Sequence, residues 1–178
     1  MKKIKIILLF IFVIILSGCA GTYNLRINED LTVTEDVNIR VDNPDYYEKV
    51  LNLFKELGID EEDYSITKLD DGLKIVFKKT YNSIENYIID SKLYPYLFDS
   101  IDYNSDGKNI EIDTNGNFKL DSEYSENSNI INSVDVDLLT INITTPFTLL
   151  DNNSDSFNDG IMSWELKRDT KSKNINFK

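Results

Sequence analysis

An unbroken apolar run from Ile6 to Leu16 follows a short basic start at Lys2, Lys3 and Lys5. A membrane-spanning helix needs about 20 apolar residues, so this run predicts a signal-peptide core rather than a span. After Gly21-Thr22 the pattern changes to short alternating segments. Tyr23 to Ile27 predicts a strand, with a turn at Asn28-Glu29-Asp30. Leu31, Val33, Val37, Ile39 and Val41 predict a second strand with period-two spacing. Glu35-Asp36 interrupts that alternation and predicts a bulge.

Helical spacing begins next. Asn43 suits an N-cap, Pro44 the first helical position, and Asp45 the positive end of the helix dipole. Tyr47, Val50, Leu51, Phe54 and Leu57 fall on one face, and Gly58 suits a left-handed stop. Tyr64–Leu69 and Leu73–Phe77 flank Asp70-Asp71-Gly72, a hairpin signal. Asn82 or Ser83 then caps a shorter helix carrying Ile84, Tyr87 and Ile88.

From Tyr96 onward the pattern is strands and turns. Candidates are Phe98–Tyr103, Ile110–Ile112, Phe118–Leu120, Val134–Ile143, Phe147–Leu150, Met162–Leu166 and Ile175–Phe177. A parity shift near Leu139-Thr140 predicts a second bulge, and residues 151–160 are expected to be a connection. These elements describe an α+β domain, a mostly antiparallel sheet with two helices, in the order ββαββα followed by several strands.

The apolar run ends in Leu16-Ser17-Gly18-Cys19, which resembles a lipobox. Small residues at Ser17 and Gly18 let a signal peptidase grip the backbone, and the Cys19 thiol accepts a diacylglyceryl group. Cleavage before Cys19 then frees an amine for further acylation, for example by palmitate. One acyl chain binds a bilayer only marginally, so two or three on one cysteine make the stable anchor. The expected organisation is a signal peptide at 1–18, a lipidated tether at 19–22 and one extracytoplasmic domain at 23–178. The expected location is the extracytoplasmic face of the cell membrane.

Composition narrows the chemistry. Removing residues 1–18 takes three lysines, leaving 16 basic and 31 acidic residues, a net charge of −15. That argues against nucleic acid as a partner and against lying flat on anionic lipid. The chain has no histidine and one cysteine, Cys19. Histidine-based triads and zinc sites of His and Cys are therefore excluded. Carboxylate chemistry and oxygen-ligand metal sites survive.

Asp102, Asn104 and Asp106, with Asp113 at the twelfth position, match part of a calcium loop. Asp113 reaches less far than the usual Glu, Asn109 replaces an apolar residue, and Ile110-Glu111-Ile112 alternates like a strand. The segment is read as a hairpin turn, with no metal or cofactor assigned. Glu61-Glu62-Asp63 and Asp70-Asp71 could supply paired carboxylates for hydrolysis, but such clusters are common on a solvated acidic surface. The aromatics of Tyr94-Pro95-Tyr96-Leu97-Phe98, and Trp164, are read as core.

Both ends of the mature chain resemble the LppM-domain family of bacterial envelope lipoproteins. The closing pattern is Ile143-Thr144-Thr145-Pro146-Phe147, an Asn-containing turn at Asn152-Asn153-Ser154-Asp155, and Ser163-Trp164-Glu165-Leu166. The opening pattern is Cys19, Leu25-Arg26-Ile27, Asn28-Glu29-Asp30 and Leu31-Thr32-Val33. The resemblance implies an α+β envelope lipoprotein suspected of binding a lipid or glycolipid; it does not imply a catalytic site, and the expectation is a non-enzymatic protein. The alternatives are an acidic protein-interaction module and a carboxylate-dependent envelope hydrolase. The lipid reading expects an apolar cleft between the helices and the sheet.

Overall fold

The computed structural model describes residues 19–98, 100–103, 110–113, 136–149, 151–167 and 176–177. The fold is α+β. Strands β1 (Cys19–Ile27), β2 (Val33–Val41), β3 (Tyr64–Leu69), β4 (Gly72–Tyr81), β7 (Val136–Thr144), β8 (Ser156–Asn158) and β9 (Ile161–Lys167) form one sheet in the order β3-β4-β2-β1-β7-β9-β8. All its neighbouring pairs are antiparallel except β1 with β7. Strands β5 (Ser100–Tyr103), β6 (Ile110–Asp113) and β10 (Asn176–Phe177) form a smaller sheet. Helices α1 (Tyr47–Glu56) and α2 (Ile84–Asp90), with a single turn α3 (Tyr94–Leu97), complete the described elements.

Strand alternation assigns the two faces of the large sheet. Leu25, Val33, Val37, Ile75, Phe77, Ile141, Ile143 and Trp164 all turn inward and are buried. They meet Val50 and Phe54 of α1 and Ile84 and Tyr87 of α2 in one core. Phe54 packs edge-on against Tyr64 at 5.2 Å and Phe77 at 6.5 Å. Each such side chain contributes about 1.5–3 kcal/mol when removed from water. Among the described residues this inward layer is filled by side chains where an apolar cleft was expected.

Neither expected bulge stands where the sequence pattern put it. β2 keeps unbroken register with β1 and β4 through Glu35 and Asp36. Glu35 interrupts the apolar pattern but not the backbone, because it points inward between Val33 and Val37. β7 is regular from Leu138 to Thr144, and the register shift lies earlier, where Cys19 pairs with Val136 but Ala20 with Leu138. Gly21 and Thr22, expected as a tether, are strand residues paired with Ile39 and Asn38.

Helix α1 starts one turn later than its sequence signals suggested. Pro44–Tyr46 forms a 3-10 turn, closed by the Tyr46 amide on the Asn43 carbonyl at 3.0 Å. The stop is as expected. Gly58 takes φ 69°, its amide reaches the Lys55 carbonyl, and the Ile59 amide reaches that of Phe54 at 2.9 Å. That pair of bonds is a Schellman ending. Ser83 caps α2 by accepting from the Asn86 amide at 3.1 Å.

The β3–β4 hairpin turns through Asp70-Asp71, neither of which has positive φ. Gly72 serves a different need from the one its position suggested. A Cβ there would lie 2.5 Å from the Val41 carbonyl oxygen, so only glycine lets the two strands approach. β5 and β6 pair antiparallel, as the hairpin reading of the calcium-like segment expects, while the turn itself, residues 104–109, lies outside the described residues. Phe147–Leu149, expected as strand, is irregular, while the 151–160 connection contains β8. The Asp159-Gly160 turn that joins β8 to β9 has φ of 51° and 77°, the conformation of a tight type I′ hairpin. The expected strand at Phe118–Leu120 lies outside the described residues.

Candidate functional site

Two polar constellations sit on opposite faces of the large sheet. The inner one centres on Glu35, whose side chain is fully buried. Its Oε1 accepts from the Tyr23 hydroxyl at 2.9 Å, and its Oε2 accepts from the Tyr81 hydroxyl at 2.8 Å. The Ser91 hydroxyl reaches both oxygens, at 2.9 and 3.1 Å. Tyr87 lies 2.7 Å from the Tyr23 oxygen and extends the chain. Because Tyr23 spends its proton on Glu35, Tyr87 is the donor in that pair. Ser91 in turn accepts from the Leu93 and Tyr94 amides, which starts the α3 turn.

Burial pushes the Glu35 carboxyl above its ordinary range, while hydrogen bonds from Tyr81, Tyr23 and Ser91 pull it back. The Tyr23 and Tyr87 hydroxyls are raised well above theirs, first by burial. The cluster has its hydrogen bonds met internally, so its chemistry is that of a polar clasp joining β1, β2, β4 and α2.

The outer constellation faces away from the helices. Register places Asp36, Asn24, Asn142 and Ser163 side by side on β2, β1, β7 and β9. Ser163 donates to Asn142 at 2.7 Å, Asn142 to Asn24 at 2.9 Å, and Asn24 to Asp36 at 3.0 Å. Asn38 donates to the same Asp36 oxygen. Asp36, Asn24 and Asn142 of this row floor an open groove of about 270 Å³, bordered by Arg26, Thr34, Lys78, Thr144 and Ile161. Arg26 and Lys78 make no ion pair among the described residues.

The row has hydrogen-bonding capacity left over. Each amide carries two donors and two acceptor lone pairs, and Asp36 has a second carboxylate oxygen. Planar amides, a carboxylate, a guanidinium and an ammonium converge there with one apolar rim residue. This set suits a ligand rich in hydroxyls.

The sites expected from sequence fall elsewhere. Leu16, Ser17 and Gly18 lie outside the described residues, and Cys19 is the first residue of β1. Asn104 and Asp106 also lie outside them, Asp102 is exposed on β5, and Asp113 ends β6. Among the described residues, no three His, Cys, Asp or Glu side chains form a metal-binding group. Glu61 and Glu62 are exposed, Asp63 pairs with Lys79 at 3.1 Å, and Asp71 pairs with Arg40 at 2.7 Å. Trp164 is core as expected, its Nε1 donating to Asn153 at 2.9 Å. Tyr94 stacks on Phe98 at 6.1 Å and closes the core beneath α2.

Sequence reasoning missed both constellations. The signal for the inner one was a carboxylate at the inward parity of an otherwise apolar strand. The outer row left a fainter trace, Asn24, Asp36 and Asn142 at outward positions of three separate strands.

No family model and no curated protein matches the chain in sequence. A solved structure does share its fold. The folded domain of LppM from Mycobacterium tuberculosis, determined by NMR, superposes with a TM-score of 0.52 over 89% of this chain and 87% of that one. The two are 10% identical, so the likeness is one of fold. Among the described residues no helix is long and apolar enough to cross a membrane. The chain thus carries the fold of that domain on a strongly acidic sequence.

Proposed function

We propose that this chain is a membrane-anchored lipoprotein whose extracytoplasmic domain binds an envelope lipid or glycolipid by its hydroxylated headgroup, without catalysis. The anchor is the diacylglyceryl group on Cys19, added at the Leu16-Ser17-Gly18-Cys19 lipobox. The binding site is the outer groove. The observation that carries the reading is the amide and carboxylate row Asn142–Asn24–Asp36 beneath two cations, Arg26 and Lys78, that have no ion-pair partner among the described residues.

Size favours a headgroup over an acyl chain. The groove holds about 270 Å³, just under the roughly 300–1,000 Å³ of pockets that enclose drug-sized ligands. The inward layer, where an acyl chain would go, is occupied by core side chains. The shared fold with an LppM domain supports an envelope role.

The reading is tested by NMR titration of the protein with glycerol 1-phosphate and with methyl glycosides as headgroup probes. Shifts of the Asn24 and Asn142 side-chain amide signals are the expected result. Shifts confined to other regions, or none at all, contradict it.

A further inference from the structure

Net charge alone predicts that this domain shuns an anionic bilayer, yet its charges are sorted between two faces. The helix side carries exposed Glu48, Glu56, Glu61, Glu62, Glu85 and Asp90 against exposed Lys49, Lys55 and Lys92. The outward strand positions of the large sheet carry five cations, Arg26, Arg40, Lys74, Lys78 and Lys167, against two carboxylates, Asp36 and Glu165. Asp42 and Asp71 stand against Arg40 at 2.7 Å, so among the described residues the excess is one positive charge, on a chain whose net charge is −12.

Three of these cations, Arg26, Lys74 and Lys78, have no ionic partner among the described residues. Arg40 and Lys74 stand directly opposite each other on β2 and β4. Like charges in that position destabilise a sheet, and only Arg40 is relieved, by Asp42 and Asp71. Cations held this way are favourable when an anionic surface lies against them. At physiological ionic strength the Debye length is about 8 Å, so carboxylates on the far side of the helix layer are largely screened from such a surface.

The start of β1 points the same way. Ala20 pairs with Arg40 on one side and Leu138 on the other, and Leu138 pairs with Lys167. Register therefore puts the residue after Cys19 in one row with Lys74, Arg40 and Lys167. No spacer separates a lipid on Cys19 from this face.

We propose that the outer face of the large sheet docks on a bilayer surface bearing anionic phospholipid headgroups, which turns the groove toward the membrane. The geometry rests on the Cys19 anchor proposed above, and the electrostatic preference does not. Association strengthens with each cation brought to such a surface.

The test uses the mature chain, residues 19–178, with Cys19→Ser, so that neither an acyl chain nor the basic, apolar leader contributes. It is floated with vesicles of phosphatidylcholine alone and with phosphatidylglycerol mixed in. The expected result is at least about tenfold stronger association with the anionic vesicles, abolished by high salt. Lys74→Glu/Lys78→Glu should remove that preference, while Lys55→Glu/Lys92→Glu on the helix side, with the same change in net charge, should keep it. If the glutamate pair fails to fold, Lys74→Gln/Lys78→Gln reads the same loss.

Equal association with neutral and anionic vesicles overturns the proposal. So does equal loss in the face and helix-side variants, which would make the effect one of net charge. Binding of a soluble polyanion without vesicle association also overturns it, and would reassign the face to an anionic glycan. Mass measurement of wild-type protein for a lipid on Cys19 separates failure of the anchor from failure of the docking.

Discussion

Tyr23 on β1 donates a 2.9 Å hydrogen bond to Glu35 on β2, and both side chains are removed from solvent. This bond sits between the sheet's central strands and beneath α2. A buried carboxylate with three donors is costly to truncate, because its partners lose their acceptor together.

Glu35→Ala should therefore destabilise the fold by about 3–5 kcal/mol, since removing one member of a buried polar group strands the others. Glu35→Gln keeps the shape and one acceptor, and should cost about 1–3 kcal/mol. Urea denaturation followed by circular dichroism measures both. A loss under 1 kcal/mol for Glu35→Ala would contradict the clasp.

The same residue sets a pH dependence. Its folded pKa is raised by burial above the ordinary 4.5, so the folded state holds the proton more tightly than the unfolded chain. The stability it contributes is complete below 4.5 and is lost as pH rises through the folded value. Asp30 works in the opposite sense. Hydrogen bonds from the Thr32 side chain and backbone lower its pKa from 3.8, so its contribution is present above that value and fades as pH falls. Denaturation midpoints measured from pH 4 upward should show wild type losing stability relative to Glu35→Gln. Parallel curves would refute the assignment to Glu35.

Two glycines should respond differently to alanine. At Gly72 a Cβ would meet the Val41 carbonyl oxygen at 2.5 Å, while at Gly160 it meets nothing within 4 Å. Gly72→Ala should cost about 1–3 kcal/mol by steric overlap. Gly160→Ala should cost only the left-handed backbone penalty, about 1–2 kcal/mol. Thermal melting of the two variants ranks them, and a larger loss at Gly160 would contradict the close strand approach.

The outer row should matter to binding and little to folding. Asn142→Ala removes one link of the row on a solvent-facing position, so stability should change by less than about 1 kcal/mol. Loss of the hydrogen bonds it offers should weaken headgroup-probe binding by about tenfold. Titration calorimetry with the probe that shifts the Asn142 amide reads the change.

Much of the fold was legible from alternation. The β1–β2 hairpin, both helices, the Gly58 stop, the Ser83 cap and the core role of Trp164 all follow from spacing and local chemistry. The errors have physical causes. Glu35 looked like a break because a carboxylate in an apolar strand signals a bulge unless three hydroxyls from distant segments are known to surround it. Gly72 looked like a turn residue because its clash is with Val41, thirty-one positions away. β8 was missed because its three residues, Ser156 to Asn158, carry no apolar alternation, although Asp159-Gly160 is a hairpin signal. The outer groove left only a faint trace because it joins five strands through register, and the parallel pairing of β1 with β7 is not encoded in any local pattern.

Headgroup binding in the outer groove is tested most directly by native mass spectrometry of the purified chain after exposure to a total lipid extract, with Asn24→Leu/Asn142→Leu run in parallel. The prediction is an adduct of lipid mass on the wild-type protein that is absent from the folded variant. A wild-type protein free of lipid, or an adduct that survives in the variant, would contradict headgroup binding in the outer groove.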